Sequence, residues 1–349
     1  MNNFGFKAPV PGGEMLRNRD FKKAQNRVAV LLFMVTGIVQ YVSVVFVPFL
    51  MPGIDPFISE LTQALLYLAY MALPVFLFGI VNGRGLKGYF SFKRGRKGTV
   101  AAGFAALGVV YFAQLVAQFV AIALDSAGAD VSQLQPSSGA DLKTIILRVV
   151  YIAVFAGIFE ELVFRGIVLA ELLPYGKGFA IVCCGVLFGL MHCNPIQLPF
   201  ACIVGIVLAY SVVRCGTLWV SVLVHFANNL LSVIFTSLGD YVPARTALLT
   251  EAAVTAVIFI AGVIAAVYLI RHKNDPDEQT DQKEKYTAKC VVSDEPQKVD
   301  LRGGVFKKIS PLLYIYAVFT VMITLSTLAA LIAMPHLNEF MEFIQQWQP

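Results

Sequence analysis

One apolar stretch of the chain, FAGIFEELVFRG, carries three ionisable side chains, those of Glu160, Glu161 and Arg165. On a helix, Glu161 and Arg165 lie four residues apart on one face, so they are predicted to form an ion pair. Glu160 is rotated about 100° away and is left without an evident partner. A glutamate without a partner in an apolar pocket suits a general base. The plainer alternative is that both glutamates brace Arg165.

Two further apolar segments carry histidines. His192 ends the segment FGLMH, and His225 begins the segment HFANN, in which Asn229 follows on the same helical face. A carboxylate and an imidazole can together activate a water, and an imidazole and a carboxamide can stabilise an oxyanion. Glu160, His192 and His225 could instead bind a metal such as zinc. The sequence contains no HExxH and no GxSxG, which argues against the usual helix-borne zinc site and against a serine nucleophile.

Composition predicts the environment of these residues. Of the 349 residues, 58% are hydrophobic and 14% are charged, with a mean hydropathy of +0.72. Soluble domains are about 45–50% apolar and about 25% charged, so the fold class is predicted to be an all-α polytopic membrane protein with about nine transmembrane helices. The predicted spans are 28–51, 61–82, 99–124, 144–172, 178–193, 198–213, 216–238, 248–270 and 311–334. The two short spans, 178–193 and 198–213, would either be tilted or form a helical hairpin bent at Asn194 and Pro195.

The charges of the loops predict the orientation of the chain. The segment 1–27 and the loop 83–98 are rich in Lys and Arg, whereas the intervening loop carries Asp55 and Glu60, and the loop 125–142 carries only acidic charges. Basic loops stay cytoplasmic, so the N-terminus is predicted inside and the C-terminus outside. Because basic residues cluster between spans, the net charge of +5 does not indicate nucleic-acid binding. With no signal-peptide pattern in its first residues, the chain is predicted in a bacterial plasma membrane, the endoplasmic reticulum being the alternative.

The same pattern predicts three parts. Residues 1–143 hold the cytoplasmic N-terminal segment and three helices, and residues 144–238 hold the core that carries every motif. Residues 239–349 hold the C-terminal helices and a polar linker, 271–310, of mixed charge. Such a composition is typical of a poorly ordered cytoplasmic segment, and this one could contact a protein partner.

The motifs EELVFR, FGLMH and HFANN match, in order and spacing, the EExxxR, FxxxH and HxxxN motifs of the CPBP family. This family contains CAAX proteases and bacteriocin-processing membrane proteins, and is also called the Abi family. The chain resembles it over roughly 145–235. The resemblance implies an intramembrane endopeptidase, of a family often called metalloproteases, with a membrane-embedded chamber and a membrane-associated peptide or protein as substrate.

Residue roles follow from motif position. Glu160 would be the catalytic glutamate, with His192 helping to activate the water. His225 and Asn229 would hold the oxyanion or a metal, while Glu161 and Arg165 would support the site. The resemblance leaves open whether Glu160, His192 and His225 bind zinc or whether the reaction is metal-independent.

Two other classes of function use similar residues. A proton-coupled transporter also needs intramembrane Glu and His, but this sequence shows one cluster and no paired half of the kind that inverted repeats provide. A non-catalytic membrane scaffold predicts instead that Glu160, His192 and His225 can be replaced without loss of function.

Overall fold

The computed structural model describes residues 13–41, 55–81, 86, 88–134, 141–272 and 308–345. Every regular element in these ranges is helical, as the sequence predicts. The long helices are α1 Gly13–Tyr41, α2 Pro56–Val81, α3 Thr99–Ser126, α4 Leu142–Tyr175, α5 Lys177–Met191, α6 Gln197–Cys215, α7 Trp219–Leu238, α8 Ala244–Arg271 and α9 Pro311–Gln345.

Seven of these helices are long and apolar enough to cross a membrane, namely α2, α3, α4, α6, α7, α8 and α9. Each corresponds to one predicted span, which confirms a multi-pass helical membrane protein. Helix α5 has 15 residues, or about 23 Å at 1.5 Å per residue, and is shorter than the roughly 30 Å of hydrocarbon. The first predicted span, 28–51, begins within α1, and its last ten residues lie outside the described ranges.

Helix α4 is not a regular α-helix. Its π-helical stretches, Val149–Phe155 and Leu162–Val168, flank the α-helical stretch Ala156–Glu161, which carries both glutamates. Single π-turns inside helices are rare and are frequent at functional sites. A π-turn changes the direction of the side chains that follow it relative to an ideal α-helix, although Glu161 and Arg165 remain in contact across the start of the second stretch.

Helices α5 and α6 form the predicted hairpin. In the connection, the Asn194 side chain accepts hydrogen bonds from the backbone N–H groups of Ile196 and Gln197 at 2.9 and 3.2 Å. The two helices touch through Gly185 and Gly205, where a Cβ on Gly205 would lie 2.6 Å from the Gly185 Cα. No side chain fits in that gap, so both glycines are needed for the hairpin to close.

A close contact also brings α4 against α7. A Cβ on Gly157 would lie 3.2 Å from the backbone of Phe226. Because Gly157 and Phe226 are close neighbours in sequence of Glu160 and His225, this contact places the carboxylates of α4 beside the imidazole of α7.

Candidate active site

Glu161 lies at the centre of a fully buried charged group. Arg165 Nη1 donates to Glu161 Oε1 at 2.7 Å, and both side chains are 0% exposed. The predicted ion pair is therefore confirmed. Two further contacts hold the guanidinium, which lies 4.3 Å from the centre of the Phe188 ring and donates through Nη2 to the Gly205 carbonyl at 3.4 Å.

His225 joins the same group. Its Nδ1 lies 2.8 Å from Glu161 Oε1, and its Nε2 lies 3.8 Å from Glu160 Oε2. The imidazole thus stands between the two adjacent glutamates. The sequence placed His225 near the glutamates but did not show that one ring would contact both.

Glu160 has a partner that the sequence did not indicate. The Tyr67 hydroxyl, on α2, donates to Glu160 Oε1 at 2.6 Å. The expectation of a glutamate without a partner is therefore wrong for this oxygen, because packing of α2 against α4 supplies a donor from outside the motifs. The second oxygen, Oε2, is buried and has no hydrogen-bond partner within the described ranges.

The hydrogen bonds of both histidines define which ring nitrogen carries hydrogen. His192 Nδ1 lies 2.8 Å from the Phe188 carbonyl oxygen, which can only accept, so Nδ1 donates. His225 Nδ1 likewise donates, because its partner is the carboxylate of Glu161, which is held as an acceptor by Arg165. In each ring, Nε2 is therefore the nitrogen available for chemistry.

Asn229 belongs to a row of side-chain amides. Its Nδ2 donates to the Ile152 carbonyl at 2.9 Å, within a π-helical stretch of α4. Asn228 donates to Asn229 Oδ1 at 3.1 Å, and Gln114 of α3 donates to Asn228 Oδ1 at the same distance. An amide nitrogen carries two N–H groups, and the bond to Ile152 uses one of those on Asn229.

The predicted catalytic residues share one chamber. A cavity of about 470 Å³ is lined by Glu160, His192, His225 and Asn229, and Tyr67 also lines it. The volume lies within the roughly 300–1,000 Å³ typical of ligand pockets. Glu161 and Arg165 do not line the cavity. Glu161 contacts the cavity residue His225, and Arg165 contacts Glu161.

Residues 142–231, from the start of α4 into α7, match the family model described as type II CAAX prenyl endopeptidase Rce1-like. The resemblance to the CPBP family is confirmed. The matched segment contains every motif residue and supports a membrane enzyme of the CAAX protease type. No curated protein and no solved structure matched the chain.

The CPBP resemblance raises the question of a metal. Within the described ranges, no three His, Cys, Asp or Glu side chains are grouped so that they could hold a metal ion. The candidate ligands Glu160, His192 and His225 do not fit a zinc ion in this arrangement. The reaction proposed below routes no step through a metal, and zinc stays a prediction from the sequence.

A partly buried ion pair borders the chamber on another side. Arg148 donates through Nε to Glu60 Oε1 at 2.8 Å, and the Tyr151 hydroxyl donates to Glu60 Oε2 at 2.7 Å. Arg148 and Tyr151 both line the chamber. The assignment of Glu60 to a loop is wrong, because Glu60 lies on α2 and its partner is supplied by α4.

Glu171, further along α4, is a third buried carboxylate and was not singled out from the sequence. Arg27 of α1 donates through Nε to Glu171 Oε2 at 3.0 Å, and the Tyr89 hydroxyl donates to Oε1 at 2.6 Å. Glu171 does not line the chamber. It is bound through both oxygens, in contrast to Glu160.

Proposed function

We propose that this chain is an intramembrane endopeptidase that hydrolyses a peptide bond in a membrane-associated peptide or protein. The observation that carries the proposal is the Glu160 carboxylate: the residue lines the chamber, and its buried Oε2 has no hydrogen-bond partner within the described ranges. A carboxylate oxygen in that situation can accept a proton from water. The match to CAAX prenyl endopeptidases supports the same class of reaction.

Glu160 and His192 activate the water in this proposal. The Tyr67 hydroxyl binds Oε1 and fixes the carboxylate, so Oε2 is the oxygen that takes the proton. His192 holds its hydrogen on Nδ1, so Nε2 can accept the second hydrogen of the same water and orient it. The water oxygen attacks the carbonyl carbon of the substrate as its proton passes to Glu160.

His225 and Asn229 act on the intermediate. The attack converts the carbonyl oxygen into an oxyanion, to which the Asn229 amide N–H donates; His225 donates to it through Nε2 when the ring carries hydrogen on both nitrogens. Glu161 keeps His225 in position through Nδ1. When the C–N bond breaks, Glu160 returns its proton to the leaving amine nitrogen, so the enzyme ends in its starting state.

A cleavage assay tests the proposal. Purified wild-type protein and Glu160→Gln, each reconstituted in lipid vesicles, are incubated with a mixed library of membrane peptides, with and without a zinc chelator. Removing a general base lowers rates by about 10²–10⁴-fold, so cleavage by the variant is expected to vanish at equal amounts of folded protein. Equal cleavage by both proteins would overturn the proposal, and loss of wild-type cleavage with chelator would establish a metal requirement.

A further inference from the structure

A second cavity lies apart from the chamber, between the start of α3 and the last turns of α8. Its volume is about 1060 Å³, it opens to the surface, and it shares no lining residue with the chamber. Helices α3 and α8 touch at Gly108 and Gly262, where a Cβ on Gly108 would lie 2.8 Å from the Gly262 Cα. We call the opening beside this contact the α3–α8 crevice.

One end of the α3–α8 crevice is strongly basic. Arg94, Arg96 and Lys97 line it, and its described lining residues include no Asp or Glu. The Arg96 guanidinium is held at the rim by donating through Nη1 to the Arg214 carbonyl at 2.8 Å. Arg94 and Lys97 are exposed.

The helix end adds to the positive potential. Helix α3 begins at Thr99, and its N-cap, Gly98, has φ +82° and supplies no side-chain capping bond. The N-terminal end of a helix carries a partial positive charge that favours anions. The basic side chains and this helix end together form a site for a negatively charged group such as a phosphate.

The walls of the α3–α8 crevice are apolar and lie on membrane-spanning helices. Phe104 of α3 is 51% exposed, and Ile264 of α8 is 65% exposed. In a membrane protein such surfaces lie against lipid chains rather than water. An occupant with a phosphate at one end and hydrocarbon at the other complements both parts of the crevice.

We propose that the α3–α8 crevice binds one anionic phospholipid. Its phosphate lies among Arg94, Arg96 and Lys97, and an acyl chain lies along Phe104 and Ile264. The site is independent of the proposed peptidase reaction, because it shares no residue with the chamber.

Native mass spectrometry of the full chain in detergent tests the lipid site. Wild-type protein is titrated separately with dioleoyl phosphatidylglycerol, with dioleoyl phosphatidylcholine and with inorganic phosphate. Each basic residue near an anionic headgroup contributes about 1 kcal/mol, so Arg94→Gln combined with Lys97→Gln should weaken phosphatidylglycerol binding about 30-fold. Phosphatidylcholine and inorganic phosphate should bind more weakly than phosphatidylglycerol to the wild type.

Two further variants make the test specific. Lys22→Gln combined with Lys23→Gln removes the same charge from exposed positions outside the crevice and should leave binding unchanged. Ala261→Phe fills the apolar wall with the basic end intact and should also lower binding, with an unchanged unfolding temperature in phosphatidylcholine. The proposal is wrong if the basic crevice variant binds as the wild type does, if the Lys22 and Lys23 variant loses as much, or if phosphate binds as tightly as the lipid.

Discussion

Glu160 and Glu161 are adjacent in the chain, but their carboxylates meet different partners. Glu161 accepts from Arg165 and contacts His225 through one oxygen, deep behind the chamber wall. Glu160 borders the chamber, and Tyr67 binds only one of its oxygens. Glu161 Oε2 likewise has no hydrogen-bond partner within the described ranges, but Glu161 does not line the chamber. The glutamate that does line it is the one that the motif marks as catalytic.

Tyr67 positions Glu160 in the proposed reaction. Tyr67→Phe keeps the ring and removes one hydrogen bond to a carboxylate, a bond worth about 1.5–3 kcal/mol. We expect kcat to fall by about 10- to 100-fold with KM little changed, because the substrate contacts remain. The measurement is steady-state cleavage of a membrane peptide.

Tyr70→Phe is the matched control for this prediction. The Tyr70 ring contacts that of Tyr67, with centroids 5.0 Å apart, and Tyr67 supplies the hydrogen bond to Glu160. Tyr70→Phe should keep nearly wild-type kcat. A Tyr67→Phe enzyme that is as fast as Tyr70→Phe would show that the hydrogen bond has no role in the reaction.

The ion pair of Glu161 and Arg165 is predicted to act on stability. Glu161→Gln leaves the buried Arg165 without its counter-charge, and breaking a buried pair in this way costs about 3–5 kcal/mol. Thermal unfolding in detergent should therefore show a much lower transition temperature. Adding Arg165→Met removes the isolated charge and should restore most of the loss. A double variant no more stable than Glu161→Gln would contradict this role.

At the residue scale, the sequence predicts contacts between partners that are close in the chain. The pair Glu161–Arg165 follows from helical spacing alone. Tyr67 was missed because it is one of 13 tyrosines and its bond to Glu160 depends on the packing of two helices. The partner of Glu60, Arg148, was missed for the same reason.

At the scale of elements, hydropathy predicted the spans well because bilayer thickness sets their length. The π-helical stretches of α4 left no signal in the sequence, since hydropathy is insensitive to helix winding. They matter for the site because the Ile152 carbonyl that binds Asn229 belongs to one of them. The close contacts of glycines between helices were also missed, because the sequence does not say which helix packs against each glycine.

The hairpin of α5 and α6 is predicted to depend on Gly205. A Cβ there would lie 2.6 Å from the Gly185 Cα, and overpacking of this kind costs about 1–3 kcal/mol. Gly205→Ala should therefore lower the unfolding temperature and the cleavage rate, because the hairpin carries His192.

Gly178→Ala is the matched control on the same hairpin. A Cβ on Gly178 would meet nothing within 4 Å. Replacing a helical glycine by alanine then gains roughly 0.5–1 kcal/mol of stability. The unfolding temperature of Gly178→Ala should equal or exceed that of the wild type. If Gly205→Ala behaves in the same way, the close contact is not needed for the hairpin.

At the scale of the whole molecule, helices outside the matched segment help to build the site. Tyr67 comes from α2 and Gln114 from α3. Helix α9 packs against α1, with the Tyr316 hydroxyl 2.9 Å from Thr36 Oγ1, and against α5. The division into three parts at residues 143 and 238 stays a prediction, as does the role of the linker 271–310, most of which lies outside the described ranges.

The orientation of the chain in the membrane also remains to be measured. Lys93 and Asp130 lie just beyond opposite ends of α3, whose 28 residues extend about 42 Å at 1.5 Å per residue. In a background in which all six native cysteines are replaced by serine, single cysteines at these positions are labelled in intact cells with a membrane-impermeant thiol reagent. We expect labelling at position 130 only, and at position 93 after permeabilisation. Labelling of both positions from one side would contradict the predicted topology.

The central claim is that Glu160 activates the water that cleaves the peptide, and its most direct test compares two equivalent substitutions on α4. Cleavage of a membrane peptide is measured, per folded molecule, for Glu160→Gln and for Glu171→Gln, which replaces a buried carboxylate outside the chamber. We predict that Glu160→Gln is slower than the wild type by about 10²–10⁴-fold, and that Glu171→Gln stays close to the wild-type rate. Cleavage by Glu160→Gln at the rate of Glu171→Gln would contradict the claim.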